Sequence, residues 1–93
     1  MCQFVRTDLG ADVAEMQKAR QSGIFSLYPE YSWGTIAAWA WGYSILIDYF
    51  EELEFIDKAR IVATGHSRGG KTAFCAGIFE ERIAITAPNS SGL

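Results

Sequence analysis

The sequence predicts an α/β fold in which parallel strands are joined by crossover helices. Three segments support this prediction: a long apolar helix over Trp33–Leu53, a short β-branched strand over Arg60–Thr64, and a second such strand over Arg82–Ala87. Between the two strands, Thr72–Glu81 is compatible with a helix. The order helix–strand–helix–strand is typical of parallel sheets with right-handed crossovers. The 93 residues leave room for one small domain, 1–93.

The composition indicates an ordinary soluble globular chain, with 49% hydrophobic and 20% charged residues. A net charge of −3 and a pI near 5.0 argue against nucleic acid or an anionic membrane as a partner. Cys2 and Cys75 show neither metal-binding spacing nor a disulfide framework, so we expect no metal site. No signal peptide is recognisable, and the uncharged run 31–47 is too short and too polar to span a membrane.

Residues 1–32 are predicted to form a helix and a loop without visible chemistry. The first five residues have the composition of a strand end. Asp8–Arg20 carries apolar residues at helical spacing, and Gly23 is placed to end that helix. Ile24–Tyr31 is predicted to be an extended loop, because its proline disfavours helical conformation at the preceding residue.

The helix predicted over Trp33–Leu53 is apolar around most of its circumference. Its widest face consists of Ile36, Trp39, Ala40, Tyr43, Ile47 and Phe50, and Trp41, Ile45 and Leu46 extend it. Such a helix must be covered on more than one side, so we expect its tryptophans to pack against a sheet and a neighbouring layer. The alternative function for these tryptophans is a platform for carbohydrate or another aromatic ring. Asp48 is expected to be a capping or buried-network acid rather than a catalytic one.

Residues 65–69 match G-x-S-x-G, the nucleophile elbow of serine hydrolases. In that geometry Ser67 occupies a strained turn between strand and helix, and β-carbons at Gly65 or Gly69 would crowd it. The Ser67 hydroxyl would stand above the strand end, at the positive end of the helix. The backbone N–H of Arg68 would then point at a developing oxyanion.

The same stretch, from Gly65 to Thr72, also matches the Walker A pattern G-x-x-x-x-G-K-T. In this interpretation Gly70 ends a phosphate-binding loop, Lys71 binds the outer phosphates, and Thr72 binds magnesium. Both interpretations predict a strand, a loop and a helix. The pattern alone therefore leaves an esterase and a nucleotide-binding module open.

The loop 88–93 is predicted to follow the second strand at its carboxyl end. Ligands of parallel α/β sheets bind beyond the carboxyl ends of the strands. Ser67 and the segment Asn89–Ser91 should therefore lie in one crevice.

Several motifs in a fixed order resemble the core of the bacterial glucuronoyl esterases, which are α/β-hydrolases similar to carbohydrate esterase family 15. The resemblance extends over roughly Asp8–Leu93 and is strongest from Trp33 onward. It rests on Trp33-Gly34, Trp39-Ala40-Trp41-Gly42, Asp48-Tyr49, Ile56-Asp57, the run from Gly65 through His66 and Gly70 to Ala73, Glu81-Arg82, and Asn89 to Gly92. Because several ordered motifs agree, it favours the elbow over the Walker interpretation.

The resemblance implies cleavage of the ester between glucuronic acid on xylan and an alcohol of lignin, without metal or cofactor. Ser67 matches the family's nucleophile, Arg68 the arginine that stabilises the oxyanion, and Lys71 the lysine that binds hydroxyls of the uronate. The position of Lys71 agrees, because it lies one helical turn past Ser67, where a cation is unfavourable unless it meets an acceptor. The alternatives are a structural ion pair for Arg68 and a solvated surface position for Lys71.

A serine triad also needs a histidine and an acid. The single histidine, His66, adjoins Ser67 in the elbow, and its ring is not expected to reach the serine hydroxyl. In the family's order both residues follow the elbow, so we expect a truncated esterase that is nearly inactive and prone to aggregate in isolation. The family implies a secreted or periplasmic location. An acetyl xylan esterase, a P-loop module and a non-catalytic remnant remain alternatives, and the oligomeric state is not indicated.

Overall fold

A computed structural model of the protein describes residues 1–92, and the α/β prediction is confirmed. The elements are 3-10 turns at Arg6–Asp8 and Gly23–Ser26, helices α1 (Met16–Ala19), α2 (Thr35–Phe50) and α3 (Arg68–Phe79), and strands β1 (Val62–His66) and β2 (Ile85–Asn89). Within this described part, no helix is both long enough and apolar enough to cross a bilayer.

The two strands form a parallel pair, connected by α3. Val62 lies opposite Ile85, and His66 lies opposite Asn89, so both carboxyl ends meet at one edge. Helix α3 packs on both strands and on α2. The approach of α3 to β2 is close at Gly77, where a β-carbon would overlap the methyl group of Thr86. The hydroxyl of Tyr43 also joins α2 to β1, because it donates a hydrogen bond to the Thr64 carbonyl at 3.0 Å.

Helix α2 supplies much of the buried core. Trp39 is 2% exposed, and its indole Nε1–H donates to the carbonyl of Gly10 at 2.7 Å. This tryptophan packs in the interior as predicted, and its only polar group is satisfied there. The helix is shorter than the predicted range at both ends. It starts after Gly34, whose backbone is extended, and the chain turns away at Glu51.

The long helix predicted over Asp8–Arg20 is wrong, since only Met16–Ala19 is α-helical. The backbone groups that such a helix would use are bound elsewhere. The Leu9 carbonyl accepts from the N–H of Ile24 at 3.0 Å, and the N–H of Ala11 donates to Ser22 Oγ at 2.9 Å. Tertiary hydrogen bonds thus override the helical spacing of the apolar residues.

Gly23 has a different role from the predicted one. Helix α1 is already capped at Arg20, and Gly23 instead opens a 3-10 turn within the segment predicted as an extended loop. Its φ is +54°, and a β-carbon would overlap the carbonyl of Leu9. Only glycine fits this close approach without strain. Residues 1–5, which resemble a strand end in composition, have no regular structure.

The elements around the elbow are displaced from their predicted bounds. Helix α3 starts at Arg68 rather than Thr72, and β2 is Ile85–Asn89 rather than Arg82–Ala87. Pro88 and Asn89, predicted to be in the loop, therefore belong to the strand. The final residue of that predicted loop, Leu93, lies outside the described residues.

A cluster of charges around Arg82 explains the late start of β2. Its guanidinium contacts Glu80 and Asp48 at 2.8 Å and Glu51 at 3.1 Å, which holds the preceding residues in a turn. Asp48 belongs to a network as predicted, but its side chain is 68% exposed rather than buried. The hydrogen bonds from Arg82 lower the pKa of Glu80 from its ordinary 4.5 to about 2.

Candidate active site

A single residue forms the turn between β1 and α3. The strand ends at His66, the helix begins at Arg68, and Ser67 between them has φ 54° and ψ −118°. A positive φ is strained for any residue with a β-carbon, and such strain persists only where the surroundings impose it. The strand, turn and helix have the nucleophile-elbow arrangement that the G-x-S-x-G pattern predicts.

Hydrogen bonds from both sides hold the backbone of Ser67. Its N–H donates to the carbonyl of Asn89 at 2.8 Å, and its carbonyl accepts from the N–H of Lys71 at 3.0 Å. The residue is exposed, and its hydroxyl has no hydrogen-bond partner within residues 1–92. The bond to Asn89 brings the end of β2 against the elbow, as predicted from the shared edge of the sheet.

The glycines of the elbow differ in whether they leave room for a β-carbon. A β-carbon at Gly65 would overlap the carbonyl of Gly69, so this position admits no side chain. A β-carbon at Gly70 would lie 2.9 Å from the Gly65 carbonyl oxygen and 3.0 Å from that of Asn89. A β-carbon at Gly69 would meet nothing within 4 Å. The prediction that Gly69 is sterically required is therefore wrong, because a side chain there would meet no other group. Gly69 takes part in the close approach to Gly65 only through its carbonyl.

Arg68, the first residue of α3, forms the ion pair whose partners lie farthest apart in sequence within residues 1–92. Its Nη1 donates to Asp12 Oδ1 at 2.8 Å, across 56 positions. Asp12 also contacts Arg6 Nη2 at 3.4 Å through its other oxygen. The ion pair weighed as an alternative for Arg68 is present. It uses one of the five guanidinium N–H donors. Sequence reasoning missed Asp12, because nothing in the local pattern links it to the elbow.

Lys71 and His66 are both exposed at the elbow. Lys71 lies one turn into α3, and its ammonium forms no ion pair within residues 1–92. The ring of His66 makes no hydrogen bond to Ser67 in that same range. The described residues thus bring a serine hydroxyl and two cations to one helix end, but they provide no base for the serine.

The Walker interpretation does not fit this geometry. A phosphate-binding loop needs several residues between strand and helix whose N–H groups surround the phosphates. Here only Ser67 separates β1 from α3. The hydroxyl of Thr72, which would bind magnesium, is buried and donates to the carbonyl of Arg68 at 2.9 Å.

An aromatic pocket of about 460 Å³ lies between α2 and the last turn of α3. Its lining includes Trp33, which lies just before α2, Trp41 from the middle of α2, and Ala76 and Phe79 from the end of α3. Phe79 is twelve residues beyond Ser67, or roughly 18 Å along the helix. The ring of Phe79 is therefore not next to the serine.

Comparisons with known proteins agree on one family. A family model described as "Glucuronyl esterase, fungi" matches residues 1–93. A carbohydrate esterase, MZ0003, from an unknown prokaryotic organism is 52% identical over 60 residues. These cover 64% of this chain and 14% of that protein. A 4-O-methyl-glucuronoyl methylesterase of Hypocrea jecorina (strain QM6a) is 40% identical over 95 residues, covering 99% of this chain and 20% of that protein.

This chain is also similar to a solved structure from the same family. The glucuronoyl esterase from Solibacter usitatus matches with a TM-score of 0.80 and 34% identity, over 94% of this chain and 24% of that one. The chain thus spans about a fifth of the length of such relatives.

Proposed function

Because this chain belongs to the glucuronyl esterase family, we propose that it carries the nucleophile of a serine esterase that cleaves 4-O-methyl-glucuronoyl esters of plant cell-wall carbohydrate. The conformation of Ser67 is the observation that supports this most directly. Its positive φ and its position between β1 and α3 expose a hydroxyl at the N-terminal end of a twelve-residue helix. That is where a tetrahedral oxyanion gains most from backbone N–H groups and the helix dipole.

The proposed reaction is acyl transfer in two steps. Ser67 Oγ forms a bond to the ester carbonyl carbon while a base takes its proton, and the alcohol then leaves with a proton. Water cleaves the resulting acyl-enzyme, releases the uronic acid and restores the serine. The backbone N–H and guanidinium of Arg68 would stabilise the negative oxygen. The base and its orienting acid would be supplied from outside these 93 residues, since the ring of His66 makes no hydrogen bond to Ser67 within the described chain.

Lys71 supports a uronate ester rather than an acetyl ester. Its ammonium is exposed one turn from Ser67 and has no carboxylate partner within residues 1–92, so it is available to sugar hydroxyls. The acyl group of an acetyl ester carries no hydroxyl. We further propose that the whole enzyme works outside the cytoplasm, because its polymeric substrate lies there.

The test uses the full-length protein with a glucuronic acid methyl ester and an acetylated xylan oligomer. Wild type should hydrolyse the uronate ester preferentially. Ser67→Ala should lose at least about a thousandfold in kcat and all labelling by a serine-directed phosphonate. Ser32→Ala, at an exposed serine away from the elbow, is the matched control and should keep both. Turnover that survives Ser67→Ala would refute the assignment of the nucleophile. A preference for the acetyl ester would refute the substrate.

A further inference from the structure

The guanidinium of Arg68 is held by a residue from the N-terminal segment. Asp12 Oδ1 accepts from Arg68 Nη1 at 2.8 Å, while Oδ2 faces Arg6 Nη2 at 3.4 Å. The Arg68 side chain is 64% exposed, whereas that of Asp12 is 29% exposed. A flexible cation is thus tied to a carboxylate that is less exposed than the cation itself. The contact fixes one end of the arginine.

The segment that carries Asp12 is fixed from two directions. The Gly10 carbonyl accepts from the buried indole of Trp39 on α2, and the N–H of Ala11 donates to Ser22 Oγ. Gly10 itself is buried, and a β-carbon there would lie 3.1 Å from the ring of Phe25. The carboxylate therefore projects from a segment whose backbone is bound to α2 and to Ser22. The same tertiary hydrogen bonds account for the non-helical path of residues 9–12.

The charges around Asp12 preserve a positive field at the elbow. Arg6 lies over the ring of Trp39, with its guanidinium carbon 4.8 Å from the ring centre, and contacts the same carboxylate. Two arginines share one aspartate, so one positive charge remains uncompensated. Asp12 can therefore restrict the guanidinium of Arg68 without neutralising it. Within residues 1–92, four of the five guanidinium N–H donors of Arg68 remain for another acceptor.

From this geometry we propose that Asp12 is a positioning residue, which holds the Arg68 guanidinium in the orientation that stabilises the oxyanion. The inference rests on the proposed esterase function. An arginine side chain loses rotamer entropy when it is fixed. An interaction formed before the reaction removes that cost from the transition state, where preorganised donors are most effective. Asp12 itself does not touch the substrate.

The effect should appear in kcat rather than KM, because the oxyanion exists only in the transition state. In the full-length protein, Asp12→Asn should lower kcat about tenfold and leave KM within about twofold. Active sites are counted by phosphonate labelling, so that partial unfolding does not count as slow chemistry. Asp8→Asn makes the same change at an exposed aspartate with no ion pair within residues 1–92, and should leave kcat unchanged.

A double variant that also carries Arg68→Ala tests whether Asp12 acts through Arg68 or only supports the structure in general. With Arg68→Ala already present, adding Asp12→Asn should cause no further loss in kcat, because the residue through which Asp12 acts is gone. An equal loss in both backgrounds, or no loss in wild type, overturns the proposal. An increase in kcat would also overturn it, since Asp12 would then withhold the arginine from the oxyanion.

Crystal structures of the full-length variants test the same point without turnover. Asp12→Asn should give a disordered or displaced Arg68 guanidinium, while Asp8→Asn should leave it ordered in place. An ordered, unmoved guanidinium in Asp12→Asn refutes the positioning role even if the protein proves to have another activity. Absence of uronate hydrolysis by wild type would instead refute the proposed function, and the two failures are therefore distinguishable.

Discussion

At the scale of single residues, the elbow depends on the space left by glycines. Gly65 has no side chain because the carbonyl of Gly69 occupies the position of its β-carbon. This approach holds the turn so tight that Ser67 must adopt a positive φ. A strained serine is thus maintained by contacts between main-chain atoms on either side of it, and its backbone bonds to Asn89 and Lys71 secure the conformation.

Two alanine substitutions should separate the steric role of Gly65 from that of Gly69. Gly65→Ala should destabilise the full-length protein by about 3 kcal/mol or more and abolish phosphonate labelling, because backbone must move to admit the methyl group. Gly69→Ala should leave the free energy of unfolding within about 1 kcal/mol of wild type, since its β-carbon meets nothing and alanine favours helix. Denaturant unfolding measures both. Equal losses for the two variants would contradict this assignment.

At the scale of elements, the Arg82 cluster joins α2 to the turn between α3 and β2. One guanidinium contacts acids from both regions: Asp48 and Glu51 on one side and Glu80 on the other. The Glu80 side chain is only 11% exposed, so its pair with Arg82 is shielded from water. The other two acids are more exposed and contribute less. This cluster fixes where β2 begins.

The cluster makes the stability of the fold depend on pH, because Glu80 titrates in the acid range. Its pKa in the folded protein, about 2, lies below the ordinary 4.5, so the stabilisation is complete above about pH 5 and is lost as the pH falls toward 2. Glu80→Gln should lower the free energy of unfolding at neutral pH by about 1–3 kcal/mol, and the melting temperature should fall with it. It should also flatten the fall in melting temperature between pH 5 and pH 3. Glu81→Gln, at an exposed neighbour without an ion pair within residues 1–92, is the control. An unchanged acid profile in Glu80→Gln would rule out Glu80 as the titrating group.

At the scale of the whole molecule, large apolar side chains lie on the surface on both sides of the sheet. Val62 and Ile85 on the strands are 53% and 61% exposed, and Phe74, Ile78 and Phe79 on α3 are 55%, 63% and 76% exposed. Patches of this kind in a soluble protein are usually covered. The two-stranded sheet described here buries too little of its apolar surface to be independently stable.

The 93-residue chain, studied by itself, should therefore self-associate. We expect its apparent mass in sedimentation to rise with concentration, together with strong binding of a hydrophobic dye. Ile78→Lys and Phe79→Lys should reduce both effects, while Lys58→Arg, which changes no apolar surface, should not. The isolated chain should also show at most residual ester hydrolysis, because no base contacts Ser67 within the described residues. A monomer at all concentrations would contradict the first expectation, and rapid turnover the second.

The sequence by itself determined the α/β order, the elbow at residues 65–69 and the interior position of Trp39, because each depends on local pattern: periodicity, glycine spacing, or the apolar character of one helix. Tertiary structure alone decided the non-helical path of residues 9–15, the late start of β2 and the contact between Asp12 and Arg68. In each case a hydrogen bond or ion pair between distant segments outweighs the local preference. Such contacts leave no periodic signal, since their partners lie as far as 56 residues apart.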